Sequence, residues 1–155
     1  MSDTPQPNHF GEDQAAAYDS NFVRLAPLKE ALHLCMRGVL GGCPPEASVL
    51  CVGAGTGAEL LYLAEAFPGW RFTLVEPSAP MLQRCREKAE AAGIISRCTF
   101  HEGYLETLPI SGPFDIATAI LVSQFLLQAP ARTAFFEEIA ARLRPGGHLV
   151  TADLS

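Results

Sequence analysis

The sequence predicts an α/β fold, a doubly wound and mostly parallel sheet in a three-layer α/β/α arrangement, and three observations predict it. Short continuous apolar runs such as Ser48 to Val52 (SVLCV) alternate with segments whose apolar residues recur at three- and four-residue spacing. That order, strand then helix repeated, favours parallel pairing with helices on both faces. One run passes through three alternating glycines, Gly53, Gly55 and Gly57, straight into an amphipathic segment. Finally, the chain of 155 residues is 48% hydrophobic and 18% charged, a composition that fits one globular domain and rules out long disordered regions.

Taken in order, residues 1–11 are rich in Pro, Asn and Asp, carry no periodicity and are expected to form a flexible N-terminus. Residues 12–47 form a helical cap or lid in this scheme. Its helices are Asp13 to Ser20 (DQAAAYDS) and Leu25 to Leu40, the latter ending at Gly41-Gly42, where a helix can stop in left-handed geometry. Pro44-Pro45 then breaks the chain ahead of the first strand, Ser48 to Val52, whose unbroken apolar character suits burial on both faces. From there to Ser155 runs the core: helix from Gly57 to Ala66, strand from Trp70 to Val75, helix from Ser78 to Ala92, and strand from Arg97 to His101. A further strand from Asp115 to Leu121, a helix from Ala131 to Leu143 and a last strand from His148 to Asp153 complete the pattern. Ser78 as N-cap, Pro80 in the first turn and Gly93 after the last turn punctuate their helix as capping requires.

Charge and cysteine usage narrow the function classes. A formal net charge of −6, from 17 acidic and 11 basic residues, offers no footprint for wrapping a polyanion, so nucleic acid is not an expected partner. Cys35, Cys43, Cys51, Cys85 and Cys98 include no CxxC pair and are odd in number, which argues against a disulfide framework and fits a reducing, cytoplasmic location. The polar start lacks a signal-peptide pattern and no apolar run approaches the roughly 18 residues that a membrane span needs, so no membrane association is expected. No metal site is expected either: neither His101 nor His148 sits with Asp, Glu or Cys at metal-ligand spacing.

The segment Val49 to Leu60 (VLCVGAGTGAEL) carries the chemistry. Glycine permits positive φ and removes Cβ, so a ligand can lie against the backbone where a helix begins. Glu76 ends the next strand, where a carboxylate can accept both hydroxyls of an adenosine ribose. Because Gly53-x-Gly55-x-x-Ala58 also satisfies the dinucleotide fingerprint, a NAD(P)-dependent oxidoreductase stays open at this level.

Five stretches together, VLCVGAGTGAELLYLA, FTLVEPSAPML, FHEGYLETLP, FDIATAILVSQFL and LRPGGHLVTADLS, resemble the successive motifs of class I S-adenosylmethionine-dependent methyltransferases over Ser48 to Ser155. The stretches APMLQRCREKAE and SQFL are also similar to the tRNA wobble-uridine carboxymethyltransferase relatives of that family. The resemblance implies a Rossmann-like core, S-adenosyl-L-methionine as cofactor, and methyl transfer to a small-molecule acceptor by in-line displacement. It implies that Gly53, Ala54, Gly55, Thr56 and Gly57 approach the methionine and ribose portions, and that Glu76 holds the ribose diol. Pro77 and Met81 would flank the adenine, Gly103, Tyr104 and Leu105 would close its other side, and Leu121 and Val122 would supply backbone near the methionine. Tyr18 resembles the tyrosine of a lid helix lining the methyl-transfer site. Gln124, just after the fourth strand, stands where such enzymes place substrate-facing residues. These two are the candidates for a catalytic role. Two positions depart from the family pattern: Cys51 and Tyr104 each stand where an acidic residue is common. A cofactor-binding module without activity is therefore a third expectation. In the family the sheet has seven strands, whereas this sequence stops after the fifth, so the core is expected to be truncated after strand five. A fragment of a longer protein, or a homodimer that covers the edge, would follow.

Overall fold

The structure, a computed structural model, describes residues 11–21, 23–109 and 112–154. Apart from Gly11, the expected flexible N-terminus lies outside the described residues. Five strands, β1 (Ser48–Val52), β2 (Arg71–Glu76), β3 (Cys98–Glu102), β4 (Phe114–Ile120) and β5 (Leu143–Ala152), form one sheet in the order β3-β2-β1-β4-β5. All four pairings are parallel. Five helices connect and cover them: α1 (Glu12–Asn21), α2 (Ala26–Leu40), α3 (Ala58–Ala66), α4 (Ala79–Ala91) and α5 (Ala129–Ala140). The chain proceeds outward from β1 to β3, then crosses back to β4, so the strand order reverses between β1 and β4. In such sheets a crevice opens outside the carboxyl ends of the strands at that switch point.

β1 explains why its sequence is apolar without interruption. Val49 and Cys51 face a cluster with Met36, Leu40, Leu60, Leu63, Trp70 and Phe72, while Leu50 and Val52 face a second cluster with Val75, Leu105, Phe114 and Ile139. Each face of the strand is therefore covered by its own layer. The amino ends of β1 and β4 are clamped by Asp115, whose Oδ2 accepts the Ser48 N–H at 2.7 Å and the Ser48 hydroxyl at 3.0 Å; its Oδ1 pairs with Arg144 at 2.9 Å.

Most boundaries agree with expectation to within a residue or two, and the exceptions have local causes. Ser78 caps α4 by accepting the Met81 N–H at 3.4 Å, and Gly93, at φ 70°, lets Ile94 N–H return to the Ala89 carbonyl at 2.9 Å. At the end of α2, by contrast, Gly41 keeps right-handed geometry at φ −62°, so the expected left-handed stop is absent there. α5 ends at Ala140 and β5 begins at Leu143, five residues ahead of the expected His148, because the Arg142 carbonyl accepts Phe114 N–H at 2.8 Å and Leu143 pairs with Phe114. A register irregularity between Phe114 and Ile116 absorbs the Pro145-Gly146-Gly147 stretch within the same strand. β3 and β5 are the edges of the sheet, and on β5 Leu149 is exposed while Val150 packs against the first cluster.

Candidate functional site

The glycine loop sits where β1 ends at the switch point, and its three glycines have different physical reasons. All are left-handed, with φ of 72° at Gly53, 55° at Gly55 and 86° at Gly57. A Cβ at Gly53 would lie 2.4 Å from Val122 Cγ2, and one at Gly57 would lie 2.7 Å from Cys85 Sγ, so packing forbids side chains at both. A Cβ at Gly55 would meet no protein atom within 4 Å. Gly55 therefore faces open space, the cradle that an added side chain would fill.

The loop amides are mostly committed to the protein. Gly53 and Ala54 donate to the Val75 carbonyl at 2.8 and 3.1 Å, and Gly55 donates to Glu76 Oε2 at 2.9 Å. What the loop offers a ligand at these positions is room and shape rather than open N–H groups. Glu76 is buried, its second oxygen accepts the Ser78 N–H at 3.0 Å, and its backbone carbonyl accepts the Gly103 N–H at 3.1 Å. One residue thus ties the loop to the ends of β2 and β3.

A cavity of about 130 Å³ opens beside the loop. Among the sequence-predicted residues it brings together Tyr18, Gly53, Ala54, Gly55, Thr56 and Leu121. Leu121 is left-handed at φ 59°, a conformation that costs a leucine roughly 1–2 kcal/mol, and its N–H donates to the Ala152 carbonyl at 2.6 Å. Burial raises the Tyr18 phenol, and the negative charges of Glu76 and Asp19 raise it further.

The other predicted residues lie off the cavity wall. Val122 packs its side chain on Gly53, Met81 and Leu105 are buried, and Tyr104 is exposed. Gly103 is needed for the fold, since a Cβ there would stand 2.7 Å from Thr107 Oγ1. Pro77 follows Glu76 directly and is half-buried. Gln124 is not part of the cavity wall but borders it, because its Oε1 accepts the N–H of the wall residue Leu154 at 2.9 Å, and its own backbone N–H donates to Asp153 Oδ1 at 3.2 Å. These bonds tether the end of β5 to the loop after β4.

Four polar residues of the wall were absent from the sequence-level candidates: Asp19, Lys29, His33 and Glu59. Asp19 accepts the Thr56 hydroxyl at 2.7 Å and pairs with Lys88 Nζ at 2.5 Å, which joins α1 to the glycine loop and α4. Burial alone would raise its carboxyl, but the hydrogen bonds from Lys88 and Thr56 and the charges of Lys88 and Lys29 outweigh that and hold it low. His33 is buried and stacks on Tyr62 at 4.6 Å; burial, assisted by the charge of Lys29, lowers its imidazole below the ordinary histidine value. Glu59, in the first turn of α3, accepts the Thr118 hydroxyl, and burial pushes its carboxyl up. The signal for Lys29 and His33 was present as a four-residue step on the face that also carries Leu25, Leu28 and Leu32, a stripe that reads equally as core packing. Cys51 is the buried, inert thiol its strand position suggests, raised well above the ordinary value chiefly by burial. Among the described residues no group of three or more His, Cys, Asp and Glu side chains is arranged to hold a metal.

Residues 49–147 match a family model described as a methyltransferase domain. The chain is 27% identical over 149 residues to the carboxy-S-adenosyl-L-methionine synthase of Campylobacter jejuni, covering 93% of this chain and 60% of that protein. It is 27% identical over 155 residues to the erythromycin 3''-O-methyltransferase of Saccharopolyspora erythraea, covering 94% of this chain and 50% of that one. In fold it is similar to a SAM-dependent methyltransferase from Geobacter sulfurreducens solved in complex with S-adenosyl-L-homocysteine, with a TM-score of 0.61, 24% identity, and coverage of 77% of this chain and 46% of the other. The chain thus spans between half and 60% of the length of these two curated relatives.

Proposed function

The chain belongs to the methyltransferase-domain family, and from that premise we propose that it binds S-adenosyl-L-methionine at the glycine loop and transfers its methyl group to a small-molecule acceptor. The observation that carries this reading is Gly55: left-handed, with open space where a Cβ would be, on the wall of the cavity and hydrogen-bonded to the buried Glu76. The residues present fit the cofactor. Gly53, Ala54, Gly55, Thr56 and Gly57 would cradle it, Glu76 would face its ribose, and Pro77, Met81, Gly103, Tyr104 and Leu105 would surround its adenine. Leu121 and Val122 would lie beside the methionine portion. When bound, this cofactor supplies a methyl group already activated by its sulfonium, so the protein contributes alignment and exclusion of water.

In this scheme residues 12–47 act as a cap over the core, and the apolar side chains Leu25, Leu28, Leu32 and Ile120 keep water from the reacting centre. Tyr18 lines the same space from α1. His33 lines it from α2, where burial and the nearby Lys29 disfavour its charged form. The family match argues against a nicotinamide oxidoreductase despite the shared glycine pattern. No helix among the described residues is long and apolar enough to cross a membrane; the free cysteines are in keeping with a cytoplasmic protein, and the negative charge with the lack of a nucleic-acid partner.

Isothermal titration with S-adenosyl-L-homocysteine and with NADH tests the proposal. Binding of the former and not the latter is expected; the reverse result overturns it. Binding with no methyl transfer to any of a panel of small hydroxyl and amine acceptors would reduce the assignment to a non-catalytic cofactor module.

A further inference from the structure

Resting on the cofactor reading of the cavity, we propose that Glu59 is the counter-charge that recognises the ammonium group of the cofactor's amino-acid portion. Two carboxylates line the cavity wall, Asp19 and Glu59. Asp19 already has its cation in Lys88 at 2.5 Å. Glu59 has one neutral donor, the hydroxyl of Thr118, the residue that pairs with Cys51 between β4 and β1, and the thiol of Cys51 lies nearby. Among the described residues no Lys, Arg or His forms an ion pair with it.

Such an arrangement is expensive when the protein is alone. A half-buried carboxylate bonded only to a neutral group is pushed toward its protonated form, and the direction of the shift at Glu59 follows from that partial burial. A cation arriving in the cavity reverses the balance, because it supplies the missing opposite charge in a medium that screens it weakly. The cofactor has two cationic groups. Its sulfonium has no N–H to donate, whereas its ammonium has three, and the lone pairs that Thr118 leaves on the carboxylate call for donors. Gly53 to Thr56, Ala58 and Glu59 all line one cavity, so a ligand resting on Gly55 lies on the same wall as this carboxylate.

Three ligands and two proteins test the assignment by calorimetry: S-adenosyl-L-homocysteine, methylthioadenosine, which lacks the amino-acid portion, and the desamino analogue of S-adenosyl-L-homocysteine, each against the wild type and E59Q. The wild type is expected to bind S-adenosyl-L-homocysteine at least about tenfold more tightly than the desamino analogue. E59Q is expected to lose at least about tenfold toward S-adenosyl-L-homocysteine while binding methylthioadenosine within about twofold of the wild type. Equal binding of S-adenosyl-L-homocysteine to both proteins overturns the role of Glu59 alone, as does an equal loss of all three ligands, which marks a structural role. Failure of the wild type to bind either adenosine thioether overturns the cofactor reading and this assignment with it. Should E59Q fail to fold, the comparison of the two wild-type affinities decides: no preference for the ligand with an ammonium group refutes the proposal.

Discussion

Along the chain the three glycines of the loop are interchangeable letters; in space each answers a different demand. At Gly53 a left-handed backbone coincides with a Cβ position 2.4 Å from Val122 Cγ2. Gly53→Ala is therefore expected to destabilise the protein by about 2–4 kcal/mol, the sum of left-handed strain and overpacking, read from the midpoint of urea unfolding. Gly55 has the same kind of backbone but nothing within 4 Å of the missing Cβ. Asparagine tolerates left-handed geometry, so Gly55→Asn is expected to keep stability within about 1 kcal/mol of the wild type. Its side chain would enter the cavity and lower affinity for S-adenosyl-L-homocysteine at least about tenfold. A loss of stability comparable to that of Gly53→Ala, with binding intact, would show that Gly55 serves the fold and not the ligand. The spacing of these glycines was legible in the sequence; which of them meets a ligand was not, because Val122 and Cys85 approach from segments far along the chain.

Two polar clusters fix how elements sit on one another. Asp115 holds the amino ends of β1 and β4 together through Ser48 and Arg144. Its carboxyl lies below the usual range, first because it accepts the Ser48 backbone N–H and then, against the opposing effect of burial, through the Ser48 hydroxyl and Arg144. The folded chain thus releases this proton more readily than the unfolded one, so the stabilisation is complete above about pH 4 and is lost as pH falls through the lowered folded value. Asp115→Asn is expected to cost about 1–2 kcal/mol at pH 7, and the gap between the two proteins in urea midpoint should narrow below about pH 4. A gap that stays constant into acid would contradict the assignment of the charge. At the other end of the sheet α1 has one buried side chain among its described residues, Ala15, and is held to Thr56 and Lys88 by Asp19. Asp19→Ala is expected to speed amide exchange across α1 while the amides of β1 and β4 keep their protection. Neither cluster was visible in the sequence, since Ser48 and Asp115, or Asp19 and Lys88, are ordinary polar residues until the topology brings them together.

At the scale of the whole molecule, the doubly wound sheet was legible because it depends on patterns confined to single elements: unbroken apolar strands, helical spacing and capping residues. The cavity was only half legible. Its floor belongs to the glycine loop, but its other walls come from one face of α2, from Tyr18 and Asp19 of α1 and from Leu154 beyond β5. A ligand held by so many elements should stabilise all of them together. By mass action S-adenosyl-L-homocysteine at about one hundred times its Kd adds about 2.7 kcal/mol to unfolding, and at about 2–4 °C per kcal/mol for a chain of this size the expected rise in Tm is roughly 5–11 °C. Asp19→Ala separates the contribution of the cap. If α1 closes the cavity through Asp19, the variant should bind more weakly, and at the same ligand concentration its Tm should rise by clearly less than that of the wild type. An equal rise in both proteins would mean that the loop and the sheet hold the ligand without α1, and would remove residues 12–21 from the site.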